Sequence, residues 1–191
     1  KNFADAASDI DFFIITAKNR LWLARTIMHL FKKFTYLFKK QHLFCMNYYV
    51  DEEGLQIREK NIYTATELAT LLPLRGIGAF QDLYRSNPWS REYLPNFCMR
   101  VAYTKETSTT VLKKLAEWCL NNPLGNVLDF LLMKITTKRW AKKKAKGKLN
   151  AKGNIMGMDA GKHYAKPDPH TFQYKFMNRY ELAVSTILKQ Y

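Results

Sequence analysis

An α+β fold, a small mixed sheet with helices followed by a helical region, is what the sequence predicts. Two observations carry this. Up to about residue 63 the apolar residues come in short strand-like runs around one long helical stretch, and from Thr64 onward helical spacing takes over. The first run, "SDIDFFIIT" at 8–16, is apolar from Phe12 to Ile15 and suits a buried strand. "NRLWLARTIMHLFKKFTYLFKK" (19–40) follows, with Leu23, Ile27, Leu30, Phe34 and Phe38 at helical spacing, and predicts a long helix against a sheet. "HLFCMNYYV" (42–50) and "LQIREKNIY" (55–63), separated by "DEEG", predict a hairpin of two strands.

The second half reads differently. "TATELATLL" opens with a threonine capping signal and Glu67 three residues on, so a helix is expected from Thr64. Gly76 and Gly78 in "RGIGAF" mark a break between helices, without the spacing or preceding strand of a dinucleotide fingerprint. "NPWSREYLPN" (87–96), with two prolines, predicts a loop, whereas 107–121 and 124–141 are helical by period. The C-terminal stretch is amphipathic, with Phe172, Phe176, Tyr180, Val184 and Ile187 along one side. The expected division is residues 1–75 for the sheet-containing domain and 76–191 for the helical one.

Composition narrows the class. The chain has 191 residues, 47% hydrophobic and 25% charged, enough for a sizeable core. Cys45, Cys98 and Cys119 are odd in number and lack a C-x-x-C pair, so neither a disulfide framework nor a zinc site is indicated and a reducing cytoplasm is expected. The most apolar run, 21–31, contains Arg25 and His29 and is too short to span a bilayer, so no membrane partner is expected. Because the chain begins at Lys1 almost directly before the first strand, a fragment of a longer chain is expected.

The formal net charge is +15, and 138–152 alone holds Lys138, Arg139, Lys142, Lys143, Lys144, Lys146, Lys148 and Lys152. Such a run attracts RNA or another polyanion, or is a solvated loop. The tryptophans at 22, 89, 118 and 140 are expected in packing; Trp140, inside the basic run, is also placed to stack on a base.

Two carboxylates open the first strand. Side chains two apart point to one face, about 6.6 Å apart along the strand, so Asp9 and Asp11 share a side and need a counter-charge. A Mg²⁺ ion is one solution and a solvated strand end is the other.

"SDIDFFIIT" resembles the metal-binding strand of the nucleotidyltransferase superfamily, which includes DNA polymerase β, kanamycin nucleotidyltransferase and the CCA-adding enzymes. "NRLWLAR", "FCMNYYV", "NIYTATELATLLPLRG", "NPWSREYLPN" and "DAGKHY" resemble, in that order, segments of a bacterial group of nucleotidyltransferase-domain proteins, and together span nearly the whole chain. The resemblance implies Mg²⁺ (or Mn²⁺) held by Asp9 and Asp11 and transfer of a nucleoside monophosphate from a nucleoside triphosphate, ATP favoured, to a hydroxyl of an unidentified acceptor. It implies nucleotide contacts from Ser8, Lys162 and His163, the last two on the helical half. Two departures stand out. No Gly-Ser turn precedes Ser8, and Asn47 occupies the place of the superfamily's third carboxylate, leaving Glu59, on the next expected strand, as its substitute. The competing reading is a catalytically silent protein of the same fold that holds RNA or another polyanion through 138–152. A metal cluster of His163, Asp168 and His170 is disfavoured, because Pro167 and Pro169 force extended backbone and spread the ligands.

Overall fold

The computed structural model describes residues 10–39, 43–99, 111–149, 153, 155–167 and 172–189. Ser8, Asp9, Asp168 and His170 lie outside the described residues, as does the start of the helix expected from 107. Among the described residues the architecture is mixed α/β, with a four-stranded mixed sheet and seven α-helices.

Strand β1 (Ile10–Thr16) leads through Ala17–Arg20 into helix α1 (Leu21–Thr35), which ends in a 3-10 turn at Tyr36–Phe38. Strand β2 (Phe44–Asp51) returns parallel to β1. Helices α2 (Ile62–Thr70), α3 (Ile77–Arg85), α4 (Ser90–Tyr93), α5 (Val111–Leu120) and α6 (Pro123–Ala145) follow. Then come β3 (Met158–Ala160), β4 (Tyr164–Pro167) and helix α7 (Phe172–Leu188). Sheet order is β1-β2-β4-β3, with β4 antiparallel to both neighbours. Two strands from the second half of the chain therefore complete a sheet begun in the first.

Residues 55–63 form no hairpin strand, and their neighbours show why. Ile57 is buried against Ala65, Leu68, Leu83 and Trp89, while its backbone is satisfied by a side chain. Buried Asn87 accepts from the Ile57 N–H (2.8 Å) and donates Nδ2 to the Leu55 carbonyl (2.7 Å), doing the work of an adjacent strand's backbone. Helix α2 starts two residues earlier than expected, because Asn61 is the cap, accepting from the Thr64 N–H at 2.9 Å. Gly76 does break the chain between α2 and α3, at φ 74°, where a side chain would be strained. "NPWSREYLPN" is no plain loop, since Ser90–Tyr93 makes one helical turn.

Two cores flank the sheet. Phe13 and Ile15 of β1 face the cluster built on Ile57, Leu68, Leu83 and Trp89; Ile14 faces Leu21, Trp22, Tyr49 and Ala165, with Leu132 and Met133 of α6 beyond. Trp22 and Trp89 are buried as expected, whereas Trp118 is 78% exposed. Helix α7 forms over the expected stretch, yet Phe176, Tyr180 and Ile187 remain exposed. Among the described residues no helix is long and apolar enough to cross a membrane.

Candidate active site

Between Phe12 and Phe13 the pairing of β1 with β2 slips by one residue, leaving Asn47 as the extra residue of β2. The slip has a consequence for facing. Tyr48 opposes Phe13, with ring centroids 5.0 Å apart, and Asn47 turns the same way, donating Nδ2 to Asp11 Oδ1 at 2.5 Å. Two consecutive β2 residues thus meet the Asp11–Phe13 face, which regular alternation forbids. The other end of the Asn47 amide is occupied, since Oδ1 accepts from the Cys45 thiol (2.9 Å). Asp11 itself is exposed at the start of β1, and its charge helps raise the Tyr63 hydroxyl at the head of α2, after the larger effects of burial and of Glu67.

Further along that face lies a compensated charge cluster. Lys166 of β4, only 8% exposed, forms an ion pair with Glu59, reaches Asp159 at 3.5 Å and lies 5.7 Å from the Tyr48 ring centroid. Asp159 also accepts from the Tyr164 hydroxyl (2.9 Å), which in turn accepts from Arg58 Nη1 (2.9 Å). Tyr48 is pushed well above the ordinary phenol range by burial first, then by Glu59 and Asp159. Glu59 therefore does reach the Asp11 face, from a loop instead of a strand, with its carboxylate engaged by Lys166 and Oε2 buried without a hydrogen-bond partner among the described residues.

His163 is elsewhere. It sits in the β3–β4 turn and not on a helix, and its Nδ1 donates to both oxygens of fully buried Asp51, at 3.0 and 2.9 Å. Asp51 also accepts the Asn19 N–H (3.1 Å) and the Glu53 N–H (3.0 Å), and His163 Nε2 lies 3.5 Å from Glu53, which pairs with Lys18. Gly54 permits this contact, since a Cβ there would stand 2.1 Å from the His163 carbonyl oxygen. Asp51 pairs with Thr16 and Asp11 with Cys45, so the two places are at opposite ends of β1, about 16 Å apart at the usual strand rise. Lys162, beside His163, is exposed. The structure brings Asp11, Asn47 and Glu59 to one face and puts Lys162 and His163 at the far end of the strands.

The fit to a divalent cation can be tested on these groups. Mg²⁺ takes oxygen ligands, often one or two carboxylates with substrate phosphates and water. Asp11 offers such a ligand, while Asn47 presents its NH₂ and Glu59 is neutralised by Lys166. Among the described residues no three His, Cys, Asp or Glu side chains stand together as a ready cage. The described residues thus offer one carboxylate for a cation, Asp11, and leave any further oxygen ligands to come from elsewhere.

Sequence reasoning missed Lys166, Asp159 and Asp51. Asp51 was hidden in "DEEG", which has the composition of a turn, and Lys166 in a connecting segment of the half expected to form a helical domain, where no strand was foreseen. No known protein family, curated protein or solved structure matches the chain.

Proposed function

We propose that the protein is a metal-dependent nucleotidyltransferase, moving a nucleoside monophosphate from a nucleoside triphosphate, ATP first among them, to a hydroxyl of an acceptor. The observation that carries this reading is the slip in strand pairing that aims Asn47 at Asp11, at the exposed start of the strand whose sequence resembles the superfamily's metal-binding strand. Asp11, together with Asp9, would hold Mg²⁺ or Mn²⁺, and an ion bound there would lower the pKa of the acceptor hydroxyl and steady the departing pyrophosphate.

The chain's own residues do the positioning. Asn47 fixes the orientation of the Asp11 carboxylate through its 2.5 Å bond, and β1 anchors that end in the core through Phe13 and Ile15. Glu59 lies along the same face, and release from Lys166 would free it to take a proton. Lys162 and His163 take no part in this reading, because the Asp51 end of the strands is remote from Asp11.

Transfer of label from α-labelled nucleoside triphosphates to acceptors in a cell extract is the test. Asp11→Asn is expected to abolish transfer, and Glu59→Gln to slow it about 10²-fold or more if Glu59 is the base. Asn47→Asp is expected to raise the rate by restoring a carboxylate beside Asp11. Full transfer by Asp11→Asn would end the proposal.

A further inference from the structure

On the other face of the sheet α1 and α6 gather charges that are mostly positive, with Asp129 as an exception. Arg25, His29 and Lys33 follow one another at four-residue spacing along α1, and Arg139 and Lys143 at the same spacing along α6. The helices pack together near the α1 start, where Asp129 of α6 accepts the Leu23 N–H at 2.8 Å. Beyond that point the two cation rows converge on one indole. The Arg25 guanidinium carbon is 6.0 Å from the Trp140 ring centroid and the Lys143 ammonium 4.8 Å. Among the described residues none of these cations has an ion pair with a carboxylate. Nor is there a carboxylate anywhere in the sequence from Phe12 to Val50, or from Phe130 to Met158.

His29 reports the field they create. Its imidazole is held below the ordinary histidine range by partial burial first, then by Lys33, Arg25, Lys143 and Arg139 together. Arg25 is likewise lowered by burial, with a faint opposing influence from Tyr49. Arg25 and Lys143 are half-buried while His29, Lys33 and Arg139 are exposed, and like charges gathered on one face oppose folding unless an anion joins them.

We propose that the cationic α1–α6 surface binds the phosphodiester backbone of a single-stranded nucleic acid, with Trp140 as a stacking platform for a base. A nucleic-acid strand fits better than a lipid surface for a geometric reason. A flat headgroup layer meets the exposed His29, Lys33 and Arg139, whereas a flexible single strand can set one phosphate beside half-buried Arg25 and a base against the neighbouring Trp140. The site is independent of the nucleotidyl-transfer reading, because α1 and α6 cover the face of the sheet opposite Asp11.

The test uses the whole chain and a labelled single-stranded RNA of about 12 nucleotides, within the usual footprint of such sites. Arg139→Gln with Lys143→Gln is expected to weaken binding about tenfold or more near 0.1 M salt and to reduce the salt slope by about 1.4, two charges at about 0.7 each. Deletion of 146–152 is expected to change affinity less than that pair does. In the wild type the His29 titration, followed by NMR, should move up on saturation with RNA. Wild-type affinity in the double variant, or a His29 titration unmoved by RNA, overturns the proposal. So does binding to phosphatidylserine vesicles in place of RNA, which would assign the face to a membrane surface.

Discussion

The two faces of the sheet handle charge in opposite ways. On the Asp11 face, Lys166 lies between Glu59 and Asp159, and Asp159 is shared with Tyr164, itself held by Arg58. On the α1–α6 face, Arg25, His29, Lys33, Arg139 and Lys143 approach one another with Trp140 between them. A charge compensated inside the protein fixes backbone, here by tying β4 to the loop before α2. A charge left uncompensated is available to a ligand. Asp11 is intermediate: exposed and, among the described residues, answered by the neutral amide of Asn47.

The sharpest way to break the contrast is to remove Lys166. Lys166→Ala would leave half-buried Glu59 without its counter-charge and is expected to cost about 1–3 kcal/mol of stability, measured by urea unfolding. Replacing both partners with apolar residues, Lys166→Met with Glu59→Leu, should recover most of that loss. No recovery would mean that the lysine matters for something besides the pair.

Asp129 is the exception on the cationic face, and its role is a helix cap. No side chain local to α1 caps its first turn; Asp129 does so from α6, and burial raises its carboxyl above the ordinary range despite those bonds. Asp129→Ala is expected to cost about 1–2 kcal/mol and to loosen α1 from α6, visible as faster amide exchange at Leu23.

A pH effect should follow from His29. Its folded-state affinity for a proton is below that of the unfolded chain, so protonation favours unfolding. Stability should be unaffected by this group well above about pH 6.5, then fall as the pH drops through that value, levelling off below the lowered folded pKa. The stability difference between the wild type and His29→Gln should therefore change over that window in the wild type's disfavour. A constant difference from pH 8 to 5 would show that the cations do not act on this imidazole.

The smallest effect belongs to Lys143→Gln. Relief of like-charge repulsion should stabilise the chain by about 0.3 kcal/mol at low ionic strength, shrinking as salt is added. The His29 pKa should climb in the same variant.

Much of this was legible from the sequence, and the failures share a cause. The strand at 10–16, the long helices and the break at Gly76 are set by short-range periodicity and backbone preference, and they appear where expected. The strand expected at 55–63 failed, because Leu55 and Ile57 alternate like strand residues while Asn87, thirty positions away from Ile57, supplies their hydrogen bonds. At the candidate site, Asp11 and Asn47 were visible as residue types in a motif. Their 2.5 Å contact was not, since it needs a slip in register that no spacing rule encodes. Lys166 escaped notice because Glu59, its main partner, ties a short strand to a loop more than a hundred residues earlier, and Asp159 joins it from a second short strand that periodicity did not mark.

By itself the sequence determined where the chain turns helical, which strand begins with carboxylates, and that the acid-free stretches 12–50 and 130–158 would carry the positive charge. These follow from the local order of side chains. Only the tertiary structure decided that β4 would complete the sheet beside β2, that Asp129 would cap α1, and that the cations of α1 and α6 would meet around Trp140. Each of these joins residues roughly a hundred positions apart. Such pairings are selected by which faces bury apolar area together and which polar groups find partners as they do so, and that is settled by the folded chain as a whole.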